Sequence, residues 1–303
     1  MIKKALVIPY FGEWPKWFDL YLYSLGKNPS LDVLFFTDIP INNLLFIPSN
    51  AKFIKISFKD YCKEASEKLG MNINFPTPYK LCDLKPFYPI IHHELLKSYD
   101  YIGWGDIDLI YGDLENFFPP SMIEKYDIIS THSYIFSGHF TLVKNNSLVY
   151  DNFVNVPNWK ELLLDSTYHG IDEIGLSYYL TPNLKYTRYI YDKSGGFVGR
   201  HRHWAVFLMQ LSAKLLYPQY YLKELWTTPI PDYKNAFIYK NGCVFDNREK
   251  ELPYIHFYYF KKPNNYKTME KRWEDDFYHL DNCNINNDIT IRIDKNGIRC
   301  SGQ

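Results

Sequence analysis

Short apolar runs alternate with segments of helical periodicity along the first 110 positions. Lys4–Ile8 is aliphatic and is stopped by Pro9 and Gly12, the pattern of a buried strand followed by a loop. Phe18, Leu22 and Leu25 recur at helical spacing, and Asn28-Pro29 closes the segment. Leu31–Thr37 and Phe53–Ile56 are two further strands, and Asp60–Leu69 is a helix ended by Gly70. Leu84, Tyr88, Ile91 and Leu95 mark another helical face, with Pro86 and Pro89 tolerable only in its first turn. The strand Tyr99–Trp104 then runs directly into Gly105-Asp106-Ile107-Asp108. This alternation predicts a parallel sheet covered by helices on both faces, with ligands at the carboxyl ends of the strands.

The second half alternates less cleanly. Asp127–Ser130 and Ser137–Val143 read as strands, Asp172–Leu180 and His201–Tyr217 as helices, and Tyr254–Phe260 as a strand. Ile289–Ile293 alternates, and Asp294-Lys295-Asn296-Gly297 has the composition of a hairpin turn into a last strand. There is no repeat and no low-complexity linker.

Composition narrows the class. With 303 residues, 46% of them hydrophobic, the chain can bury a sizeable core. Lys plus Arg and Asp plus Glu both number 34, so no overall field draws it to nucleic acid, and any anion site must be local. The 28 tyrosines rise together with Phe, Asn, Lys and Ile, which reads as codon bias, but they leave rings available for stacking on sugars. Five scattered cysteines without a CxxC pair argue against a disulfide framework or zinc knuckle and fit a reducing cytoplasm. The apolar run after Lys3-Lys4 is too short for a signal peptide, and no stretch approaches a bilayer span.

Several groups carry candidate chemistry. Asp106 and Asp108, two residues apart at a strand end, can point the same way and offer hard oxygen ligands to Mg²⁺ or Mn²⁺, which also bind diphosphate. Their bland alternative is a pair of turn carboxylates; the preceding apolar strand, Gly103, Gly105 and the nearby Asp113 weigh against it. Lys80, Asp83 and Lys85 could hold a diphosphate or order the metal loop, or form a surface charge pair. His256 could complete a Mn²⁺ shell, with Lys261 and Lys262 close to phosphate, or be a core histidine. Asp172 and Glu173 could supply a general base or bind sugar hydroxyls, or complement a helix dipole. Gly138-His139 permits close approach of a sugar, or marks a strand bulge. The basic start of His201–Tyr217 (Arg200 to His203) and its apolar body fit either a buried helix or one lying on an anionic membrane.

Taken together, Pro9-Tyr10-Phe11-Gly12, Asn28-Pro29, Phe35–Asp38, Lys80–Pro86, Gly103–Leu114 and Gly138-His139-Phe140 resemble a group of bacterial glycosyltransferases from capsule and exopolysaccharide clusters. The Lys80–Leu114 block is the specific part, and the resemblance covers roughly residues 4 to 262. It implies a GT-A fold, a Rossmann-like mixed sheet with helices on both faces, in one large α/β domain over 1–263, with a nucleotide-binding half (1–115) and an acceptor half (116–263). Residues 264–303 would form an extension with a short hairpin. It further implies that Pro9–Gly12 line the nucleotide and that Asp38 sits near base or ribose. Asp106 and Asp108 would hold metal and diphosphate, His256 would close the metal shell, and Asp172 and Glu173 would serve donor sugar or acceptor. The expected cofactors are Mn²⁺ or Mg²⁺ and a nucleotide-sugar donor, most simply a UDP-sugar. The expected partner is a saccharide or lipid-linked saccharide acceptor, with the enzyme in the cytoplasm or at the inner membrane face. Two other classes fit parts of the pattern: a metal-dependent nucleotidyltransferase or phosphohydrolase, and a carbohydrate-binding protein.

Overall fold

The computed structural model of the chain describes residues 2–196, 200–229, 236–261, 278–279, 289–294 and 297–300. Its first eight strands are β1 (Lys4–Pro9), β2 (Leu31–Thr37), β3 (Ala51–Lys55), β4 (Tyr101–Gly105), β5 (Leu109–Tyr111), β6 (Ile128–Ser130), β7 (Phe140–Lys144) and β8 (Tyr220–Leu222). Seven of them form one sheet in the order β3-β2-β1-β4-β7-β6-β8. β3, β2, β1 and β4 run parallel. β7 turns antiparallel to both β4 and β6, and β8 lies parallel to β6. The sheet is therefore mixed, as expected of this α/β class.

Both faces of the sheet are buried, which explains the near-continuous apolar strands. Ala5 and Val7 point into one core with Leu34, Phe36, Ile102 and Trp104. Leu6 and Ile8 point into the other with Val33, Phe35 and the helix Phe18–Gly26. At the centre, a Cβ on Gly103 would sit 2.0 Å from the Thr141 carbonyl oxygen. Only glycine allows β4 and β7 to pair at that point. The helix Phe58–Leu69 starts at Ser57, whose hydroxyl accepts the Asp60 N–H at 3.1 Å, and ends at Gly70 in the left-handed region.

Three sequence expectations change in detail. The helical face from Leu84 to Leu95 is split: Pro78–Phe87 is a 3₁₀ segment, followed by the short helices Tyr88–Ile91 and His93–Leu96. Pro86 lies inside the 3₁₀ segment and Pro89 opens the helix after it, so no long α-helical ladder can form. Asp172–Leu180 begins with a π-turn, Ile171–Gly175, ahead of the helix Leu176–Leu180. The strand expected over Tyr254–Phe260 ends at His256 and gives way to a 3₁₀ turn, Tyr258–Lys261.

The remaining strands are β9 (Phe237–Lys240), β10 (Cys243–Phe245), β11 (Glu251–Leu252), β12 (Tyr254–His256), β13 (Tyr278–His279), β14 (Thr290–Asp294) and β15 (Gly297–Cys300). The expected hairpin is present, with Asp294 opposite Gly297. It does not stand apart from the domain. β14 pairs with β9, giving a second sheet in the order β11-β10-β9-β14-β15-β13. Ile291, Ile293 and Ile298 pack there with Leu20 and Ile110. Cys300 is disulfide-bonded, contrary to the expectation of reduced cysteines, while Cys62, Cys82 and Cys243 are free.

Candidate active site

A cleft of about 620 Å³ opens at the carboxyl ends of β1 and β4. Pro9, Tyr10 and Phe11 leave β1 along one wall, and Asp106 to Asp108 leave β4 at the floor. The loop between β4 and β5 is held at both ends. The Asp106 N–H donates to the His139 carbonyl at 3.2 Å, and the Trp17 indole N–H donates to the Ile107 carbonyl at 3.0 Å.

β5 then pairs antiparallel with β12, setting His256 opposite Leu109. That register brings a histidine from late in the chain beside Asp108. Ligand atoms of Asp106, Asp108 and His256 all lie within 4.8 Å of one another. Asp108 and His256 are buried, and Asp106 is partly open to the cleft. His256 Nδ1 is 3.1 Å from Thr228 Oγ1. His256 Nε2 is buried without a hydrogen-bond partner among the described residues, 3.4 Å from Asp108 Oδ2. In the tautomer that donates from Nδ1 to Thr228, Nε2 turns its lone pair toward two carboxylates. Such a convergence of acceptors fits a divalent cation, and the Thr228 contact is the orienting support that metal-binding histidines need.

Around this trio lies a ring of buried charge. Lys85 Nζ donates to Asp106 Oδ1 at 2.8 Å and to the Gly138 carbonyl at 2.8 Å, and sits 3.5 Å from Asp172 Oδ2. Burial opposes the Lys85 charge, but the Asp106 carboxylate, with Cys82 and Asp172 adding to it, holds the ammonium well above the usual lysine range. Asp172 behaves in the opposite way. Burial raises its carboxyl, Lys85 counteracts, and Glu173 and Asp106 add to the rise, for a net shift up to about 8. Lys85 thus carries its charge chiefly against Asp106, and Asp172 keeps its proton far above the ordinary carboxyl range. The Tyr168 hydroxyl donates to Asp172 Oδ1 at 3.3 Å.

Glu173 Oε1 accepts the Gly138 N–H at 2.9 Å. A Cβ on Gly138 would meet that oxygen at 2.7 Å and Asp172 Oδ2 at 2.9 Å, so only glycine lets both acids close on the strand entry. His139 stacks on His256 with ring centroids 4.0 Å apart. Burial, reinforced by His256, His132 and Lys85, lowers the His139 pKa well below the usual value and keeps the ring neutral.

Most residues singled out from sequence meet at this cleft: Pro9, Tyr10, Phe11, Lys85, Asp106, Asp108, Gly138, His139, Asp172, Glu173 and His256 line it. Others stand elsewhere. Asp38 is exposed beyond β2, and Gly12 is an exposed turn glycine at φ 114°; neither lines the cleft. Lys80 and Asp83 are fully buried behind the wall, paired at 2.8 Å. Lys80 Nζ also donates to the Leu162 and Thr167 carbonyls, and Asp83 accepts the His169 and Ile171 N–H groups. This pair ties the 3₁₀ segment to the chain entering Asp172. Asp113 caps the short helix Leu114–Phe117. The side chain of Lys261, and all of Lys262, lie outside the described residues.

Sequence reasoning missed His132, Tyr134, Tyr79, Tyr168, Thr228 and Tyr258, which also line the cleft. His132 Nδ1 is 3.2 Å from Glu224 Oε2, both buried. No local pattern marks these positions. Folding alone brings them in, from segments on either side of β7.

A mixed α/β sheet with paired carboxylates at the end of a central parallel strand defines the class of this protein. The chain belongs to the family described as Family of unknown function (DUF6625), whose model matches residues 6–289. No curated protein matches it. Among solved structures it is similar to the galactosyltransferase LgtC in complex with donor and acceptor sugar analogues, at 11% identity and TM-score 0.30, over 56% of this chain and 71% of that one. It is also similar to mouse xyloside xylosyltransferase 1 in its apo form, at 11% identity and TM-score 0.33, over 77% and 88%. A third is the glycosyltransferase GlyE of Streptococcus pneumoniae TIGR4, at 14% identity and TM-score 0.34, over 67% and 51%. Likeness this distant leaves the chemistry to be read from the site itself.

Proposed function

We propose that the protein is a metal-dependent glycosyltransferase of GT-A type. In this reading it moves a sugar from a nucleotide sugar, most simply a UDP-sugar, to a saccharide or lipid-linked saccharide in capsule, lipooligosaccharide or exopolysaccharide synthesis. The observation that carries the reading is the convergence at the carboxyl end of β4 of Asp106, Asp108 and a His256 Nε2 that makes no hydrogen bond among the described residues. Mn²⁺ or Mg²⁺ held by those three groups would supply charge stabilisation to the departing diphosphate.

The chain's own residues have separate tasks. Pro9, Tyr10 and Phe11 form the wall along which the nucleoside lies. Lys85 anchors Asp106 and places a fixed positive charge beside the acids. Asp172, whose carboxyl burial raises far above the ordinary range, donates a hydrogen bond to a sugar hydroxyl in its protonated form and serves as a base in its ionised form. Glu173, held by the Gly138 N–H, faces the same end of the cleft. Asp38 and Gly12 have no direct part in this assignment.

The test is calorimetric titration of UDP into the protein with and without Mn²⁺. Wild-type protein should bind UDP in a Mn²⁺-dependent way, and Asp108→Asn should lose at least roughly tenfold in affinity. Equal binding by wild type and variant removes the metal assignment. Turnover of a nucleoside triphosphate in place of a UDP-sugar replaces glycosyl transfer with nucleotidyl transfer.

A further inference from the structure

Away from the cleft, the helix Arg202–Leu216 has two apolar faces. Ala205, Val206 and Met209 are buried against Tyr191 of the neighbouring helix Lys185–Lys193, and Ala213 is buried in the main core with Tyr217 and Leu222. On the opposite side Trp204, Phe207, Leu211 and Leu215 stand 69%, 58%, 45% and 70% exposed. At 3.6 residues per turn these four fall within an arc of roughly 80°. They are one continuous stripe of large side chains facing water, which a soluble surface rarely leaves without purpose. The neighbouring helix adds Tyr186 and Tyr189, 72% and 57% exposed, with Lys193 Nζ 5.5 Å over the Tyr189 ring.

Charge separates the possible occupants. Residues 185–216 contain Lys185, Arg188, Lys193, Arg200, Arg202 and Lys214 against the single acid Asp192, in a chain whose totals balance at 34 and 34. Of these, Lys185, Lys193, Arg200 and Lys214 are exposed. A second copy docking by two-fold symmetry would set this basic patch against itself. An anionic bilayer surface matches both features: aliphatic side chains enter the acyl boundary, Trp and Tyr sit at headgroup depth, and the cations meet lipid phosphates. Among the described residues no helix is long and apolar enough to cross a membrane, so contact would be from one side.

We propose that the outer faces of helices Lys185–Lys193 and Arg202–Leu216 form a peripheral binding surface for anionic phospholipid membranes. Tyr191, at the base of this pair, stacks on the cleft residue Tyr134 at 4.7 Å. The surface therefore backs directly onto the cleft wall.

Vesicle flotation of the full chain tests this without nucleotide or sugar, so its outcome is independent of the transferase reading. Mixed phosphatidylglycerol and phosphatidylcholine vesicles should bind at least roughly tenfold more strongly than phosphatidylcholine alone, and salt should weaken the binding. Replacing the stripe (Trp204→Ser, Phe207→Ser, Leu211→Ser) or reversing charge (Lys185→Glu, Lys193→Glu, Lys214→Glu) should each remove most of it, with the melting temperature and far-UV circular dichroism retained. Hydrogen exchange of the wild type should show vesicle-induced protection confined to residues 185–193 and 202–216, a readout that needs no variant. Lipid-indifferent binding, no binding, or protection elsewhere overturns the proposal. So does a dimer, measured by light scattering, that Leu211→Ser dissociates.

Discussion

Lys85 and Asp172 lie 3.5 Å apart, yet burial gives them opposite habits. The lysine remains charged because Asp106 faces it; the aspartic acid keeps its proton because leaving water costs a carboxylate more than Lys85 returns. The Asp172 pKa is raised above the ordinary carboxyl value, near 3.9. Between that value and about 8 the native state holds a proton that the unfolded chain has lost. Stability from this group is therefore full at low pH, falls as pH rises through that window and levels off above it. Urea titrations in EDTA from pH 4 to 9 should show that decline in the wild type, and Asp172→Asn should flatten it. An unchanged slope in the variant assigns the decline to other groups. At this scale Asp106 and Asp108 were legible because strand, glycine and acids are adjacent in the chain. His132 and Glu224 were not, because their pairing depends on segments 92 residues apart.

The elements show why charged residues mislead when read by neighbourhood alone. Lys80 and Lys85 share one short segment, but its 3₁₀ winding sends Lys85 into the cleft and Lys80 into the interior. The Lys80–Asp83 pair satisfies two carbonyls and two N–H groups around residues 162–171, so it fastens the segment that delivers Asp172 and Glu173. Lys80→Met should leave Asp83 buried without its cation and cost about 3–5 kcal/mol. Thermal or urea unfolding would measure it, and a change within about 1 kcal/mol (no more than a single exposed pair is worth) would contradict a structural role. Six of the seven strands of the large sheet were readable from their nearly unbroken apolar runs; β8, three residues of which only Leu222 is buried, was not. The break at Phe257 was not, because the aromatic run continues past the point where pairing with β5 stops.

At the scale of the molecule, the C-terminal hairpin is a structural member. Read from sequence it was an appendage, because alternation reveals a strand but not the edge it joins. β14 covers β9 along Phe237–Lys240 and buries Ile291 and Ile293 completely. Removing residues 289–303 should uncover that edge and the cluster behind it. Soluble yield should collapse, and size-exclusion chromatography should find aggregate. A soluble, monomeric truncation with an unchanged melting temperature would return the hairpin to the status of an appendage.

The pairing of β5 with β12 has a consequence in the order of synthesis. The acids emerge by residue 108 of 303, while the imidazole that faces them arrives only with residue 256. A nascent or prematurely ended polypeptide presents two carboxylates and nothing to close the shell. Full-strength capture of the proposed cation would thus report that translation has passed β12 and that this long-range contact has formed. In this protein the proposed metal would serve as a certificate of completion before it serves as a reagent.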